Sequence, residues 1–252
     1  MQFIDSHCHL DFDVFADDID QVLITAEKAG VSSFVLPAIS RGYWPRLIEF
    51  QKKTSQSHIA LGLHPYFIEQ HTKDDLLKLE QMLRDCAVVA VGECGIDSHC
   101  PQLELQQYFF LKHIELANKY KKPLIVHHRQ SHHLILQCFK QVKPLYGGVI
   151  HAFSGSLQDA KKYISLGFSL GAGGVLTYQR AKKTRGVFQQ IDLNHIVLET
   201  DAPDMPLFGK QGQRNEPANL VETAKVLAEL RGCELEHIAQ STTHNCHRIF
   251  GI

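Results

Sequence analysis

Much that would classify a chain of 252 residues at a glance is missing from this one. It has no C-x-x-C pair, and its seven cysteines are an odd number. That argues against a disulfide framework and for a reducing compartment. No apolar run approaches membrane-spanning length, and the start carries no basic segment followed by an apolar one. A cytoplasmic protein with no membrane partner is therefore expected. Neither sign of charge is in surplus: 26 Lys and Arg stand against 27 Asp and Glu, a formal net charge of -1. Bulk attraction to nucleic acid is excluded, so a polyanion would have to be held by a local patch. There is no low-complexity segment, Pro/Gly-rich linker or P-loop. The GAGG at 171–174 lacks the following helix and acidic partner of a dinucleotide fingerprint, and reads as a strand end of small residues that lets substrate approach the backbone.

What is present is a rhythm. Strand-like apolar runs occur at FIDSHCHL, SSFVLPA, HIALGLHP, AVVAVGECGID, PLIVHHR, GGVIHAFSG, FSLGAGG and HIVLETDAP, each followed by an amphipathic stretch. Ser156 stands three residues before Asp159 and Thr72 three before Asp75, both helix-start patterns, and Pro217 suits a first helical position. Eight strand–helix units in this length predict an α/β chain folded as one (β/α)8 TIM barrel, a single domain over residues 1–252; an open doubly wound sheet is the alternative.

In such a barrel, chemistry sits at the C-terminal ends of the strands. Those ends carry His7 and His9, His64, Glu93 and Asp97, His127, His128 and Arg129, His151, and Glu199 and Asp201. Alternation along a strand puts His7 and His9 on one side with Asp5 behind them and Cys8 opposite. It also puts His127 and Arg129 together and His128 opposite, so only one of the paired histidines can share the mouth with the arginine. Glu199 and Asp201 share a side; Asp201, nearer the strand end, is the expected ligand, with Glu199 behind it.

The stretches FIDSHCHLD, GLHP, VGECGID, PLIVHHR, HAFSGS, LETDAP and RNEP, in this order across nearly the whole chain, closely resemble the TatD family of metal-dependent hydrolases. The resemblance implies a TIM barrel with a two-metal site and an activity described for the family as deoxyribonuclease. On matching positions it implies the ligands His7, His9, Glu93, His127, His151 and Asp201, and so favours His127 over His128. Cys94, where an aliphatic residue is usual, and the short SHCPQ segment depart from the pattern and bear on the fourth loop alone.

Four histidines and two carboxylates are too many ligands for one catalytic ion with an open position, and suit two ions sharing a carboxylate. Glu93 is the expected bridge, with His7, His9 and Asp201 completing one site and His127 and His151 the other. Ligand type suits zinc or manganese, and magnesium less well. Paired ions favour phosphodiester hydrolysis by an activated water, which Asp201 would orient or deprotonate.

Arg129 is expected on a phosphate oxygen, and His64 on the substrate phosphate or the leaving oxygen. Arg180, Lys182, Lys183, Arg185, Lys210 and Arg214 in the loops after strands 7 and 8 would form a basic patch that tracks a nucleic-acid backbone. Tyr43, Trp44, Tyr66 and Phe67 could stack on bases, although core packing is the safer reading of each. The SHH at 131–133, His244 and His247 fall on predicted helices as surface or capping residues. DNA or another phosphodiester, held as a single strand or frayed end and cut from that end by a monomeric enzyme, is the expected substrate. An amidohydrolase cutting C–N or C–O bonds of a small molecule is the alternative; strand 4 lacks the lysine with which many such enzymes bridge their metals.

Overall fold

A computed structural model describes residues 1–252. Eight parallel strands follow one another round a nearly closed barrel: β1 (Phe3–Asp5), β2 (Val31–Pro37), β3 (Ser57–Leu61), β4 (Ala90–Asp97), β5 (Leu124–Arg129), β6 (Gly148–Ile150), β7 (Phe168–Ala172) and β8 (Ile196–Leu198). Helices alternate with them: α1 (Ile19–Lys28), α2 (Trp44–Lys53), α3 (Lys73–Asp85), α4 (Leu103–Tyr120), α5 (His132–Gln141), α6 (Leu157–Ser165), α7 (Lys182–Gln190) and α8 (Leu220–Arg231), with a final α9 (Leu235–Phe250). This is the TIM barrel expected, and the open sheet is excluded. No helix is long and apolar enough to cross a membrane.

The capping signals are realised. Ser156 Oγ accepts from the Asp159 N–H while the Asp159 carboxylate accepts from the Ser156 N–H, both at 3.1 Å, and Thr72 with Asp75 repeats the box. Pro217 opens a short 3-10 turn leading into α8. Two cores result. A large one fills the space between sheet and helices; a small one fills the barrel with Ile4, Val35, Ala60, Ala90, Ile125, Val149 and Val197, and Cys246 and Phe250 of α9 pack against its floor. Burying a side chain such as Ile125 contributes about 1.5–3 kcal/mol relative to exposure.

The inner core sets the site by alternation. Ile125 points inward, so His127 and Arg129 do also, while Val126 and His128 face the helices. Val149 and Val197 likewise lead to His151 and to Glu199. Two strands break the period. In β4, Ala90 belongs to the inner core and Cys94 to the outer, although even spacing would put them on one side; the register shifts between Val91 and Cys94, and that irregularity brings Glu93 inward. β1 ends at Asp5, so the H-x-H segment lies beyond the strand. Its course is fixed instead by bonds from Cys8 N–H to Val35 O (3.2 Å) and from His9 N–H to Ala202 O (2.7 Å).

The loop bearing His64 is anchored from below by His113 of α4. This fully buried ring donates Nδ1–H to Phe109 O (2.7 Å) and accepts the Leu63 N–H at Nε2 (3.1 Å). Burial lowers its pKa to about 4, against a weaker opposing effect of the Phe109 bond. An unfolded chain binds a proton here below about pH 6.5, whereas the folded chain resists until about pH 4. The contribution is therefore complete above pH 6.5 and is lost as pH falls towards 4, by about 3 kcal/mol at most. Denaturant unfolding of His113→Gln should show a shallower loss of stability between pH 7 and 4.5 than the parent; equal losses would refute the assignment.

Candidate metal centre

At the C-terminal mouth of the barrel the ligand-type side chains converge on a cavity of about 730 Å³. His7 Nε2 and His9 Nε2 lie 3.3 Å apart. His7 Nε2 is 3.2 Å from Glu93 Oε2, and Asp201 Oδ1 lies 3.6 Å from both histidines. His151 Nε2 is 3.5 Å from the same Asp201 oxygen, and its ring stacks on His7 at 3.5 Å between centroids. On the other side of Glu93, Oε1 lies 3.3 Å from His64 Nε2 and 3.2 Å from His127 Nδ1.

The donor atoms fall into three overlapping groups, each within 4.8 Å: His7 with His9 and Asp201, His7 with Glu93 and His151, and His64 with Glu93 and His127. The division differs from that expected from the sequence. His151 stands beside His7 and Asp201, and His64, expected as a phosphate contact or a proton donor to the leaving oxygen, stands with His127. The two are brought together because β3 and β5 flank β4.

Carboxylates hold the rings from behind. His127 Nε2 lies 3.2 Å from Asp97 Oδ2. His151 Nδ1 lies 3.1 Å from Glu199 Oε2, a charge contact not aligned as a hydrogen bond, while Glu199 Oε1 accepts the Ala152 N–H at 2.5 Å. Such ring–carboxylate pairs fix the orientation of metal-ligating histidines. Asp97 was visible at its strand end, but nothing in the sequence marked it as the partner of His127.

Burial would push the Glu93 carboxyl up, yet His64 and His7, with hydrogen bonds from His127 and His64, hold it well below the usual range. Asp201 behaves alike: burial opposes ionisation, and the charge and hydrogen bond of His151 with those of His9 and His7 overcome it. Burial lowers His64 to about 4 despite the charge of Glu93. Two ionised carboxylates among five imidazole rings form a donor set of the type that holds divalent ions. Nε2 of both His7 and His9 faces the centre, while Nδ1 of each ring is buried with no partner.

The expected substrate contacts divide. Arg129 and Tyr66 line the cavity; Arg129 has no ion-pair partner within 4.0 Å, and Tyr66 is 68% exposed. Phe67 lines it also. Trp44 does not: it is buried, donating Nε1–H to Gly62 O (3.2 Å), and Tyr43 packs on Phe12.

Three of the six residues of the basic patch are engaged by hydrogen bonds or ion pairs within the protein. Arg214 pairs with Asp18 and Glu216 (both 2.7 Å) and lies over the Phe15 ring, Lys210 donates to Asn219 Oδ1, and Arg185 donates to Leu176 O. Neither Arg214 nor Lys210 lines the cavity. The GAGG segment makes room for protein rather than substrate, since a Cβ on Gly171 would lie 2.2 Å from Glu199 Oε2. His132, expected at the surface, lies 3.0 Å from the Tyr163 hydroxyl and packs on His128 and Phe153. The SHCPQ loop is held by Gln106, which donates to Asp97 O, Cys100 O and Pro101 O. Wall residues that nothing in the sequence marked include Phe12, Ile39, Met205 and the exposed carboxylate of Asp204.

The site and fold agree with comparisons to known proteins. A family model described as TatD related DNase matches residues 4–251. The Escherichia coli K12 metal-dependent hydrolase YjjV is 40% identical over 255 residues, covering 100% of this chain and 98% of its own. The Bacillus subtilis metal-dependent hydrolase YabD is 30% identical over 251 residues, with 98% of each chain covered. The crystal structure of YjjV, a TatD homologue, superposes with a TM-score of 0.96 over 99% of this chain and 98% of that one. A TatD family hydrolase from Entamoeba histolytica, 24% identical, shares the fold at a TM-score of 0.86, with 99% and 98% covered. The chain carrying these converging histidines and carboxylates therefore belongs to the TatD family and is a metal-dependent hydrolase.

Proposed function

We propose that the protein is a two-ion phosphodiesterase of the deoxyribonuclease type, acting as a monomer in the cytoplasm on a single strand or frayed end of DNA. The observation that carries the reading is Glu93, whose two oxygens face two different sets of histidines, His7 and His9 on one side and His64 and His127 on the other. A carboxylate placed so is suited to bridge two ions. The ligands in this reading are His7, His9, His151 and Asp201 on one side of Glu93, and His64 and His127 on the other. When bound, zinc, manganese or magnesium supplies an attacking water of lowered pKa and positive charge for the phosphoryl oxygens. Arg129 pairs with a non-bridging oxygen, and Asp201, kept ionised, orients the water and accepts its proton. Tyr66 and Phe67 give a base a face to stack on. The family description as a DNase and the unpaired state of all seven cysteines support the substrate and the reducing compartment.

With Arg214 and Lys210 engaged elsewhere, Arg129 is the one permanently charged cation on the cavity wall. Affinity for single strands should then fall with salt at a slope of about -0.7, the value for one phosphate contact. An end-labelled single strand should shorten stepwise in the presence of Mn²⁺, and circular single-stranded DNA should survive. Rapid cutting of the circle would overturn the exonuclease reading. The same shortage of cations, with Asp204 on the wall, favours a second reading: hydrolysis of a C–N or C–O bond in a small molecule. That reading takes first place if amide or ester substrates turn over and no DNA is cut.

A further inference from the structure

The strand ladder runs from β1 round to β8, and the seam between β8 and β1 is closed by single bonds. These are Ser6 N–H to Leu198 O (2.9 Å), Asp201 N–H to His7 O (2.9 Å) and His9 N–H to Ala202 O (2.7 Å). His7 and His9 stand on one side of the seam and Asp201 on the other. The geometry of that donor group therefore depends on a register that no ladder enforces.

Three buried side chains hold it. Asp5, wholly inaccessible, accepts from Thr200 N–H (3.0 Å), from Thr200 Oγ1–H (2.5 Å) and from His7 N–H (3.3 Å). Thr200 Oγ1 in turn accepts the Ala202 N–H at 3.2 Å. Asn215, in the RNEP stretch and 1% exposed, donates Nδ2–H to Thr200 O (2.9 Å) and Met205 O (3.2 Å). Its Oδ1 accepts from Glu216 N–H and from Asn219 Nδ2. None of the three lines the cavity. Between them sits Asp201 at φ 59°, in the left-handed region that non-glycine residues enter uncommonly and aspartate more readily than most.

We propose that Asp5, Thr200 and Asn215 are positioning residues that clamp Asp201 against His7 and His9, and that this clamp is what the RNEP stretch contributes to the site. The proposal rests on the reading of His7, His9 and Asp201 as ligands to one ion. It assigns to hydrogen bonds behind the ligands the control of that ion alone, since the seam lies away from His64 and His127. Outer partners of this kind change metal affinity by about 10–100-fold when removed.

The test is calorimetric titration of the metal-stripped full chain with Mn²⁺. The wild type should take two ions. Thr200→Val, which loses the hydroxyl and keeps the shape, should weaken one of them about 10–100-fold and leave the other unchanged. Thr200→Ser, which keeps the hydroxyl, should bind as the wild type does. If Thr200→Val does not fold, as judged by circular dichroism, Asn215→Ala is read in the same way. A folded Thr200→Val with both affinities intact, equal weakening of both ions, or an equal loss in Thr200→Ser would overturn the clamp. A wild type that takes one ion refutes the two-ion reading separately; the clamp then stands only if Thr200→Val weakens that ion and Thr200→Ser spares it. A wild type that takes no ion overturns both.

Discussion

Glu93→Gln is expected to lower turnover at least ~10³-fold and to weaken the hold on both ions, the largest effect of any single substitution in this protein. The shape is kept, so the cause would be chemical. A carboxylate presents acceptors in both directions, Oε2 towards His7 and His9 and Oε1 towards His64 and His127. An amide presents one acceptor and one donor, and either orientation aims an N–H₂ at one of the two histidine pairs. It also removes the negative charge that those imidazoles hold ionised against the cost of burial. Loss of about 4 kcal/mol of transition-state stabilisation is enough for the stated factor. Elemental analysis after metal loading, paired with turnover on a chromogenic phosphodiester, checks it. A Glu93→Gln protein that retains two ions and wild-type turnover would remove Glu93 from the bridge.

The site was legible in the sequence wherever local rules reach the barrel mouth. On β5 the period of two runs unbroken from Ile125 through His127 to Arg129, and on β8 it leads from Val197 to Glu199, so the inward side chains could be read from spacing. Glu93 was found as a strand-end carboxylate, but the register shift that turns it inward leaves no mark in the residue pattern. The H-x-H pair was found for a reason that does not hold, since β1 stops at Asp5 and tertiary hydrogen bonds direct the backbone from Ser6 to His9. Arg214 shows the opposite failure. Its loop was placed correctly, but its partner Asp18 is 196 positions away, and no local pattern tells a free guanidinium from an engaged one. The grouping of His64 with His127 through Glu93 was hidden for a similar reason: it arises from strand order and is absent from the GLHP motif itself.

Asp201→Asn isolates chemistry from binding more cleanly than Glu93→Gln. Asparagine is isosteric, and with aspartate it is among the residues that best tolerate the left-handed backbone found here, φ 59°. The loop should therefore persist. What changes is the Oδ1 position, which lies 3.5–3.6 Å from His151, His7 and His9 and is ionised in the parent because those rings outweigh the penalty of burial. An amide there can orient a water but cannot take its proton. If Asp201 is the base, kcat should fall by about 10²–10⁴-fold, the usual range for removal of a general base. KM should move only a few-fold, because Arg129, Tyr66 and Phe67 on the cavity wall are untouched. The loss of charge would also loosen an ion held with His7 and His9, so the comparison belongs at saturating Mn²⁺, with bound metal measured in the same samples. Two results would refute the role: unchanged kcat with metal retained, or a raised KM at constant kcat, which would make Asp201 a contact to the substrate rather than to the attacking water.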